Sequence, residues 1–384
     1  MTFRVCFVGD DAHPPWNHAS SILTKRLIEC LSAKAECSLA TASSKVNWNH
    51  EPAGLKQLLL ARASGSQSID AVRLSVAARN SGGGFDVFHL VGTNALIFSP
   101  TSKLLGTKGR IVRHIFTPYD AKDRTVGPFR RVANRFFIDS YAFTTPRIGQ
   151  WKDELSPRTK RFLVRPPIDC NFYRPQATKR AEPELADPGL RTVLYMGPLM
   201  PTRFPHETVL RAVKRLVENG VKLRLVILTS ASRTTLEACE RVLALSKSLS
   251  ISKNVLLKRV DLTELERISW YNSADVVIFP YVGPEPEKLA DPPFGILEAM
   301  ACGRIVLSSD VLSVSDVVRE GLTGFLLQNT TVDELERGIL RSLQSTETVK
   351  VAKYAREKIV ENFDYPKVAT DTLNAYGNLL NGQS

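Results

Sequence analysis

Two doubly wound α/β domains are the fold that this 384-residue sequence predicts. Short apolar runs alternate with helical stretches in two successive series, a pattern typical of parallel strands covered by helices on both faces. A stretch rich in Pro, Glu, Ala and Lys, residues 176–191, separates the two series. The length also suits about two domains rather than one.

The first series begins with the apolar run Phe3–Gly9, which a Pro-Pro turn and a helical stretch follow. Further strands are predicted at residues 85–91, 110–114, 141–144 and 161–164, and a helix at residues 129–138. Residues 47–84 give no clear pattern, and their triple glycine is predicted as loop.

The second series starts directly after the linker. Strands are predicted at residues 192–196, 223–228, 255–257, 275–280, 305–307 and 324–327, with helical stretches between them. The predicted domains therefore span residues 1–178 and 179–362. Two such domains facing each other would form a ligand cleft at the carboxyl ends of both sheets.

Several classes of protein are excluded by composition. No apolar run approaches the ~18 residues of a membrane-spanning helix, and Asp10 and Asp11 come too early for a secretory leader, so we expect a soluble, cytoplasmic protein. The six cysteines form no Cys-x-x-Cys pair, which argues against structural zinc and disulfides. No Asp-x-Asp motif is present, and no metal or cofactor is expected.

The charge is unevenly distributed. The whole chain carries +12, yet residues 1–180 hold 27 basic and 13 acidic residues while residues 181–384 hold 24 and 26. Such an excess favours an anionic partner of the first half: a membrane surface, a phosphate-bearing lipid, an acidic glycan or nucleic acid. A merely solvated basic face explains it equally well.

The most distinctive motif is the run from Asp291 to Leu307, in which a Pro-Pro-x-Gly turn opens a short helix. The backbone N–H groups of Phe294, Gly295 and Ile296 at its start would suit a phosphate. Glu298 would accept hydrogen bonds from a vicinal diol such as a ribose. The alternative is that this carboxylate only favours the helix dipole.

This run resembles the signature of the retaining GT-B glycosyltransferases of family 4, in which Leu-Glu-Ala-Met-Ala-x-Gly follows a donor-binding loop. Residues 167–175, 321–327 and 363–376 resemble further family segments in the same order. The resemblance implies two Rossmann-like domains facing across a cleft, with the C-terminal helix, residues 363–384, crossing back to the first domain. It also implies that the first domain binds the acceptor and the second binds the donor.

The family's functional residues map onto individual positions. Glu298 matches the glutamate that contacts the nucleotide ribose. The loop from Gly197 to Arg203 matches the diphosphate-binding loop, with Arg203 in the place of a lysine. His114 matches the histidine beside the donor sugar, and His89 is the second candidate. The alternatives are a surface arginine and hydrogen-bonded structural histidines.

Departures from the family pattern concentrate at the nucleotide. Pro198 replaces an arginine, residues 229–232 replace a Gly-x-Gly, and His18 and Ala19 replace paired glycines. The first glutamate of the family's pair would fall at Ala290, so the neighbouring Asp291 is the candidate substitute. These changes concern the identity of the donor more than the fold.

The resemblance implies a metal-independent, retaining hexosyltransferase of glycan biosynthesis that uses a UDP- or GDP-sugar. The leaving diphosphate would take the acceptor proton on the same face. The acceptor would be lipid-linked, an anionic glycan or a small molecule. Residues 127–138 would either dock peripherally on an anionic membrane or, as the spacing of their aromatic residues favours, pack as an ordinary core-facing helix.

Two other functions remain open. The lost glycines and Pro198 are compatible with a catalytically weak binding or scaffold partner of another transferase. A nucleotide-sugar epimerase would need more acid and base groups than the six histidines suggest. Nucleic-acid binding is a minor possibility, because no recognisable module is present.

Overall fold

The computed structural model describes most of the chain. The described residues are 2–9, 12–14, 16, 18–43, 51–82, 84–92, 95–117, 136–153, 160–176, 189–283, 289–344 and 347–382. The chain divides into two compact units, unit 1 (Met1–Asp169 with Asn362–Ser384) and unit 2 (Cys170–Glu361). The predicted domain boundary after residue 178 and most of the predicted linker lie outside the described residues.

Parallel strands form the centre of both units. They are β1 (Phe3–Gly9), β2 (Ala35–Ser43), β3 (Leu55–Arg62), β4 (Val87–Leu90), β5 (Arg110–Ile115), β6 (Ser140–Phe143), β7 (Lys160–Leu163), β8 (Arg191–Met196), β9 (Leu223–Thr229), β10 (Val255–Arg259), β11 (Val276–Phe279), β12 (Ile305–Ser309) and β13 (Phe325–Leu327).

Helices cover these strands. In the described part of the chain they are α1 (Ala19–Leu31), α2 (Gln67–Asn80), α3 (Ala95–Leu104), α4 (Pro146–Asp153), α5 (His206–Glu218), α6 (Leu236–Ser248), α7 (Glu264–Ser273), α8 (Phe294–Ala301), α9 (Val314–Val317), α10 (Val332–Gln344), α11 (Thr348–Phe363) and α12 (Tyr365–Leu380).

Unit 1 is a doubly wound sheet. Its described strands follow the order β3-β2-β1-β4-β5-β6-β7, and every pair is parallel. The order reverses between β1 and β4, so the crevice outside the carboxyl ends of these two strands is the usual ligand position of such a sheet. A Cβ on Gly9 would lie 2.7 Å from the Val91 carbonyl oxygen, which explains the glycine at the end of β1.

The C-terminal helix α12 packs within unit 1, as the sequence predicts. The chain enters it beside Ile168, whose N–H donates to Phe363 O (2.8 Å) and whose carbonyl accepts from Tyr365 N (3.2 Å). The Tyr365 hydroxyl then donates to the Glu29 carboxylate of α1 at 2.9 Å. The expected return of the chain to the first domain is therefore confirmed.

Unit 2 repeats the same design. Its described strands follow the order β10-β9-β8-β11-β12-β13, and the order reverses between β8 and β11. Apolar side chains from the strands and from α5, α6 and α10 form its core. The crevice outside the carboxyl ends of β8 and β11 is therefore the expected ligand position of unit 2.

Strand β3 and helix α2 lie within residues 47–84, for which no clear pattern was found, and strand β2 before them was not predicted either. Strand β2 consists largely of small and polar residues, and β3 is a half-exposed edge strand, so neither shows the apolar run of a buried strand. Helix α2 exposes Ile69, Val72 and Val76 while it buries Leu74 between alanines, which removes the helical apolar period.

Two further expectations concern the surface and the cysteines. Residues 118–135, with most of the basic helix predicted at 127–138, lie outside the described residues. No helix in the described ranges is both long and apolar enough to span a membrane. All six cysteines are free and buried, as expected for small apolar side chains.

Candidate functional site

Arg203 lies at the reversal point of the unit 2 sheet. It closes the turn after β8, where its N–H donates to Met200 O at 2.8 Å, and it is 6% exposed. The turn is tied to the segment after β11 by a hydrogen bond from Val282 N to Thr202 O (2.8 Å). The loop after β8 and the loop after β11, which lie on either side of the reversal, are therefore hydrogen-bonded to each other. The guanidinium of Arg203 belongs to the first of these loops.

Gly197 gives this turn its shape. A Cβ at this position would lie 2.8 Å from the Tyr195 hydroxyl oxygen, and that hydroxyl donates to Pro198 O at 2.7 Å. The Gly197 N–H itself donates to Leu228 O at 3.0 Å. Gly197 is therefore required for a close approach, and its amide is already engaged.

Hydroxyl groups hold the loop after β9, where the family pattern has glycines. Thr234 Oγ1 accepts from Leu199 N at 3.2 Å and is hydrogen-bonded to Thr229 Oγ1. The Arg259 guanidinium donates to the carbonyl oxygens of Thr234 (2.7 Å) and Ala231 (2.6 Å). Side chains thus replace the conformational role of the glycines, and the loop remains beside the turn of Arg203.

Arg233, in this loop, is a candidate that the sequence reasoning missed. Burial and then the positive charge of Arg203 lower the pKa of Arg233, so the two guanidinium groups lie in one neighbourhood. Arg203 also offsets part of the rise that burial causes in the pKa of Tyr195 and of Tyr281. Within the described residues the Arg233 guanidinium makes no hydrogen bond or ion pair. Two guanidinium groups in one neighbourhood would suit a polyanion.

The start of α8 lies close to the strand β11. A Cβ on Gly295 would lie 3.0 Å from Phe279 Cε1, which explains the glycine. Ile296 N donates to Pro293 O at 3.1 Å, so this predicted phosphate-binding amide is not free. Phe294 and Gly295 form the first two positions of the helix, where amides have no partner four residues earlier inside the helix.

Glu298 is anchored on the second turn of α8. It is 3% exposed, and one carboxylate oxygen accepts from the Tyr271 hydroxyl at 3.0 Å. The other oxygen lies 3.7 Å from the Arg267 guanidinium. Burial and then the charge of Glu298 raise the pKa of Tyr271 far above its usual value, which keeps that hydroxyl a donor. A carboxylate accepts up to about four hydrogen bonds, the number of acceptor positions that its two oxygens offer.

Asp291 is fully buried, and Ser313 engages both of its carboxylate oxygens. Ser313 N donates to Oδ1 at 2.9 Å and Ser313 Oγ to Oδ2 at 3.0 Å. Ser313 is the residue that precedes α9. The carboxylate predicted to replace the family's first glutamate therefore links the loop before α8 to the start of α9.

His114 and His89 form a pair in unit 1. His114 lies on β5 and His89 on β4, both buried, and His89 Nε2 is 2.8 Å from His114 Nδ1. Burial lowers the pKa of His114 to about 3, with a smaller opposing effect from the backbone of Val164. Burial, and then His114, lower the pKa of His89 well below its usual value. Both imidazoles are therefore neutral at physiological pH.

In the part of the chain that the structure describes, no group of three or more His, Cys, Asp or Glu side chains is arranged to hold a metal ion.

Comparison with known proteins identifies a family model that matches the second unit and relatives that match about half of the chain. The model of the family "Glycosyl transferases group 1" matches residues 190–345. A D-inositol 3-phosphate glycosyltransferase of Rhodococcus erythropolis is 29% identical over 225 residues, which are 57% of this chain and 48% of that protein. The chain thus spans about half the length of the curated relatives it matches.

Solved structures match the whole chain. Sucrose-phosphate synthase from Thermosynechococcus elongatus has a TM-score of 0.77 at 17% identity, covering 99% of this chain and all of that one. Anabaena HepE, solved in complex with UDP and glucose, has a TM-score of 0.74 at 13% identity, covering 98% and 99%. At these identities the likeness shows the fold, and the predicted two-domain α/β architecture is confirmed.

Proposed function

We propose that this chain is a group 1 glycosyltransferase that transfers a hexosyl group from a nucleotide-activated sugar, supported by the match of that family's model to residues 190–345 and by the GT-B fold. The proposed donor is a UDP- or GDP-sugar, and the anomeric configuration is retained. Anabaena HepE, whose fold this chain shares, was solved with UDP and with UDP-glucose, which favours UDP as the first nucleotide to test.

The observation that carries the proposal is the pair of Arg203 and Arg233 at the reversal point of the unit 2 sheet. Arg203 is largely buried, and the charge of one guanidinium shifts the pKa of the other. Two neighbouring positive charges attract an anion that carries more than one negative charge. A diphosphate is such an anion, and each guanidinium can donate two parallel hydrogen bonds to phosphate oxygens.

The same pair accounts for transition-state stabilisation. As the bond between the sugar C1 and the diphosphate oxygen breaks, negative charge grows on the diphosphate. A leaving-group oxygen then takes the proton of the acceptor hydroxyl while the acceptor oxygen bonds to C1 on the same face. Preorganised donors aimed at such developing charge contribute about 2.7–4 kcal/mol each. We assign this role to Arg203 and Arg233, supported by the first amides of α8.

The remaining predicted residues have different roles in this proposal. Glu298 accepts hydrogen bonds from the ribose diol, and His114 hydrogen-bonds a hydroxyl of the transferred sugar. Asp291 acts as a positioning residue, because its carboxylate is engaged by Ser313. Gly197 shapes the turn that carries Arg203.

We further propose an anionic acceptor, bound by unit 1. The first 180 residues carry all of the excess positive charge, and the Rhodococcus erythropolis relative is named for an inositol phosphate. Attraction between a basic surface and an anionic acceptor is screened by salt. Transfer to a phosphorylated acceptor should therefore weaken as NaCl rises from about 50 to 500 mM, whereas hydrolysis of the donor should change little. Equal salt dependence of both reactions would contradict an anionic acceptor, and retention on anionic liposomes at low salt would place that acceptor at a membrane.

The nucleotide site is tested by thermal unfolding with UDP, GDP, ADP, TDP or CMP, with and without magnesium. A diphosphate at 100 times its Kd adds about 2.7 kcal/mol of stability. The shift should appear with wild type, shrink in Arg203→Ala and Arg233→Ala, and persist in Arg241→Ala. Arg241 is the matched control, since it lies on α6 and pairs with Glu237 at the surface.

Two results would contradict the proposal. The absence of a shift with every nucleotide would favour a catalytically weak binding partner of another transferase. An equal loss of the shift in Arg241→Ala would indicate a general effect of lost charge.

A further inference from the structure

Unit 2 contains a cavity of about 550 Å³ between the end of α8 and helix α11. Pockets that bind small molecules in proteins have volumes of about 300–1,000 Å³. All of the residues that line the cavity belong to unit 2. Phe294 and Gly295, whose amides are assigned to the candidate nucleotide site, lie at the opposite end of α8. The cavity is therefore separate from that site.

The way in which α8 ends shapes the cavity. Gly303 has a φ of 65°, and its N–H donates to Met300 O at 2.9 Å while that of Arg304 donates to Ala299 O at 3.0 Å. These two hydrogen bonds form the Schellman motif, which favours glycine. A Cβ on Gly303 would also lie 2.9 Å from Pro175 Cγ. Glycine therefore permits both the turn and the approach of Pro175, and the turn brings Arg304 to the cavity.

Arg304 is held by backbone carbonyls. Its Nε donates to Cys302 O at 3.1 Å, and its Nη1 donates to Asn272 O and Ala274 O at 3.4 and 3.5 Å. Within the described residues its Nη2 makes no hydrogen bond. Burial lowers the pKa of Arg304, but the guanidinium stays charged at physiological pH. The side chain thus offers a fixed charge with N–H groups to spare.

Arg356 lies on α11 and is held in the same way. Its guanidinium donates to Tyr173 O at 2.9 Å, to Cys170 O at 3.0 Å and to Ala301 O. Ala301 is the last residue of α8, so this contact satisfies one of the terminal carbonyls of the helix. Nε of Arg356 makes no hydrogen bond to the part of the chain that the structure describes. The carbonyls therefore fix the guanidinium and leave this N–H for another acceptor.

The two guanidinium groups lie close to each other. Burial, and then the charge of Glu298, raise the pKa of the Cys302 thiol to about 12, and the charges of Arg304 and Arg356 offset part of this rise. Both arginines therefore approach one buried side chain. Among the described residues neither forms an ion pair with a carboxylate, and Asp275 influences Arg304 only at longer range. Two neighbouring positive charges of this kind attract an anion.

Apolar side chains form another part of the lining. They are Pro175, Ala352 and Val360. The other charged groups of the lining are Lys353, Glu357 and Glu361, of which the first two form an exposed ion pair at 3.7 Å. Three basic and two acidic side chains thus line the cavity. An apolar wall beside two fixed guanidinium groups is complementary to an anion that also carries hydrocarbon.

We infer that this cavity binds a small organic anion that has a phosphate or carboxylate group on an apolar body. The anionic group accepts hydrogen bonds from Arg304 Nη2 and Arg356 Nε. The apolar body lies against Val360, Ala352 and Pro175. This site does not depend on the proposed function, because its lining shares no residue with the candidate nucleotide site.

Calorimetric titration of the full-length protein with hexyl phosphate, inorganic phosphate and hexanol tests the inference. Hexyl phosphate should bind at least about tenfold more tightly than either of the others, since only it has both the charge and the hydrocarbon. Equal affinity for inorganic phosphate would show that the apolar wall contributes nothing, and equal affinity for hexanol would show the same of the arginines. Either result, or the absence of saturable binding of hexyl phosphate, would overturn the inference.

Val360→Asp is the informative variant, and Val349→Asp is its matched control. Val360 lines the cavity, whereas Val349 lies on the same helix outside the lining and is 82% exposed. A carboxylate at position 360 competes for the arginines without removing their hydrogen bonds to the carbonyls. Hexyl phosphate should bind Val360→Asp at least about tenfold more weakly and Val349→Asp as tightly as wild type. Unchanged affinity in Val360→Asp would mean that the arginines only hold the backbone.

Nuclear Overhauser effects locate the ligand in the wild type without any variant. Protons of the hexyl chain should show contacts with the methyl groups of Ala352 and Val360. Binding of hexyl phosphate without these contacts would overturn the inference.

The double variant Arg203→Ala/Arg233→Ala separates this site from the proposed function. It should bind hexyl phosphate as tightly as wild type, and a loss of binding would place the ligand at the candidate nucleotide site and overturn the inference. If UDP stabilises no form of the protein while Val360→Asp alone loses hexyl phosphate, the proposed function fails and the cavity site stands.

Discussion

The two units differ in the charge of the side chains at their candidate sites. At the reversal point of unit 2, Arg203 and Arg233 bring permanent positive charge together. In unit 1, strands β4 and β5 carry His89 and His114, which burial keeps neutral. The same doubly wound architecture thus carries two neighbouring guanidinium groups in one unit and a pair of neutral imidazoles in the other. Fold alone does not set the chemistry of a site, and the residues on it do.

The largest expected effect is a loss of stability at acidic pH caused by the neutral histidines of unit 1. The unfolded chain protonates histidine near pH 6.5, whereas folded His114 resists until about pH 3. Between these values the unfolded state binds more protons, so the unfolding free energy falls as pH falls, by about 1.4 kcal/mol per pH unit for each such histidine. Above pH 6.5 these histidines are neutral in both states, so they do not make the unfolding free energy depend on pH.

Chemical denaturation at pH 4.5, 5.5, 6.5 and 7.5 measures this dependence. His114→Gln should be less stable at pH 7.5 but should show a shallower slope below pH 6.5. A slope identical to that of wild type would mean that His114 is protonated in the folded state.

A second prediction tests whether Asp291 of unit 2 contacts the nucleotide or only stabilises the fold. Ser313→Ala removes the hydroxyl hydrogen bond to this buried carboxylate, and hydrogen bonds to charged groups are worth about 1.5–3 kcal/mol. We expect that loss in the unfolding free energy, with the Kd for UDP changed less than twofold. Thermal denaturation and calorimetry on the same samples provide both values. A large rise in the Kd for UDP with little loss of stability would instead indicate that Asp291 contacts the bound nucleotide.

The smallest expected effect concerns Glu298, the buried carboxylate on α8. Glu298→Gln keeps the shape but replaces charged hydrogen bonds to a diol by neutral ones, for which a loss of about 1 kcal/mol, or roughly fivefold in affinity, is expected. Binding of 2′,3′-dideoxy-UDP, which has no diol, should be equal in wild type and variant. Tyr271→Phe, which removes a partner of Glu298, should weaken only the nucleotide that has the diol. Equal losses for both nucleotides would show that Glu298 does not contact the ribose.

The features that depend on the local spacing of residues could be predicted from the sequence. Gly197 directly follows β8 (Arg191–Met196) and Arg203 follows six residues later, so both could be located from the motif spacing. The two parallel sheets were expected from the alternation of elements, and the return of α12 from the family resemblance. Strand β3 and helix α2 were not predicted, because their apolar faces are half exposed.

The remaining features depend on contacts between distant residues. Arg233 was missed because its loop has lost the glycines that mark it, and Arg259 and Thr234 now hold that loop. The cavity at the end of α8 has a lining that runs from Pro175 to Glu361, and Arg356 donates to a carbonyl 186 positions away. No local pattern carries that information.

The central claim, that the Arg203 and Arg233 pair binds a diphosphate, is tested most directly by calorimetric titration of UDP and of uridine. Wild type should bind UDP at least about 100-fold more tightly than uridine, since two charge-assisted contacts of about 1.5–3 kcal/mol separate the ligands. The double variant Arg203→Ala/Arg233→Ala should lose most of this preference while it keeps its affinity for uridine. An undiminished preference for UDP in the double variant would contradict the account.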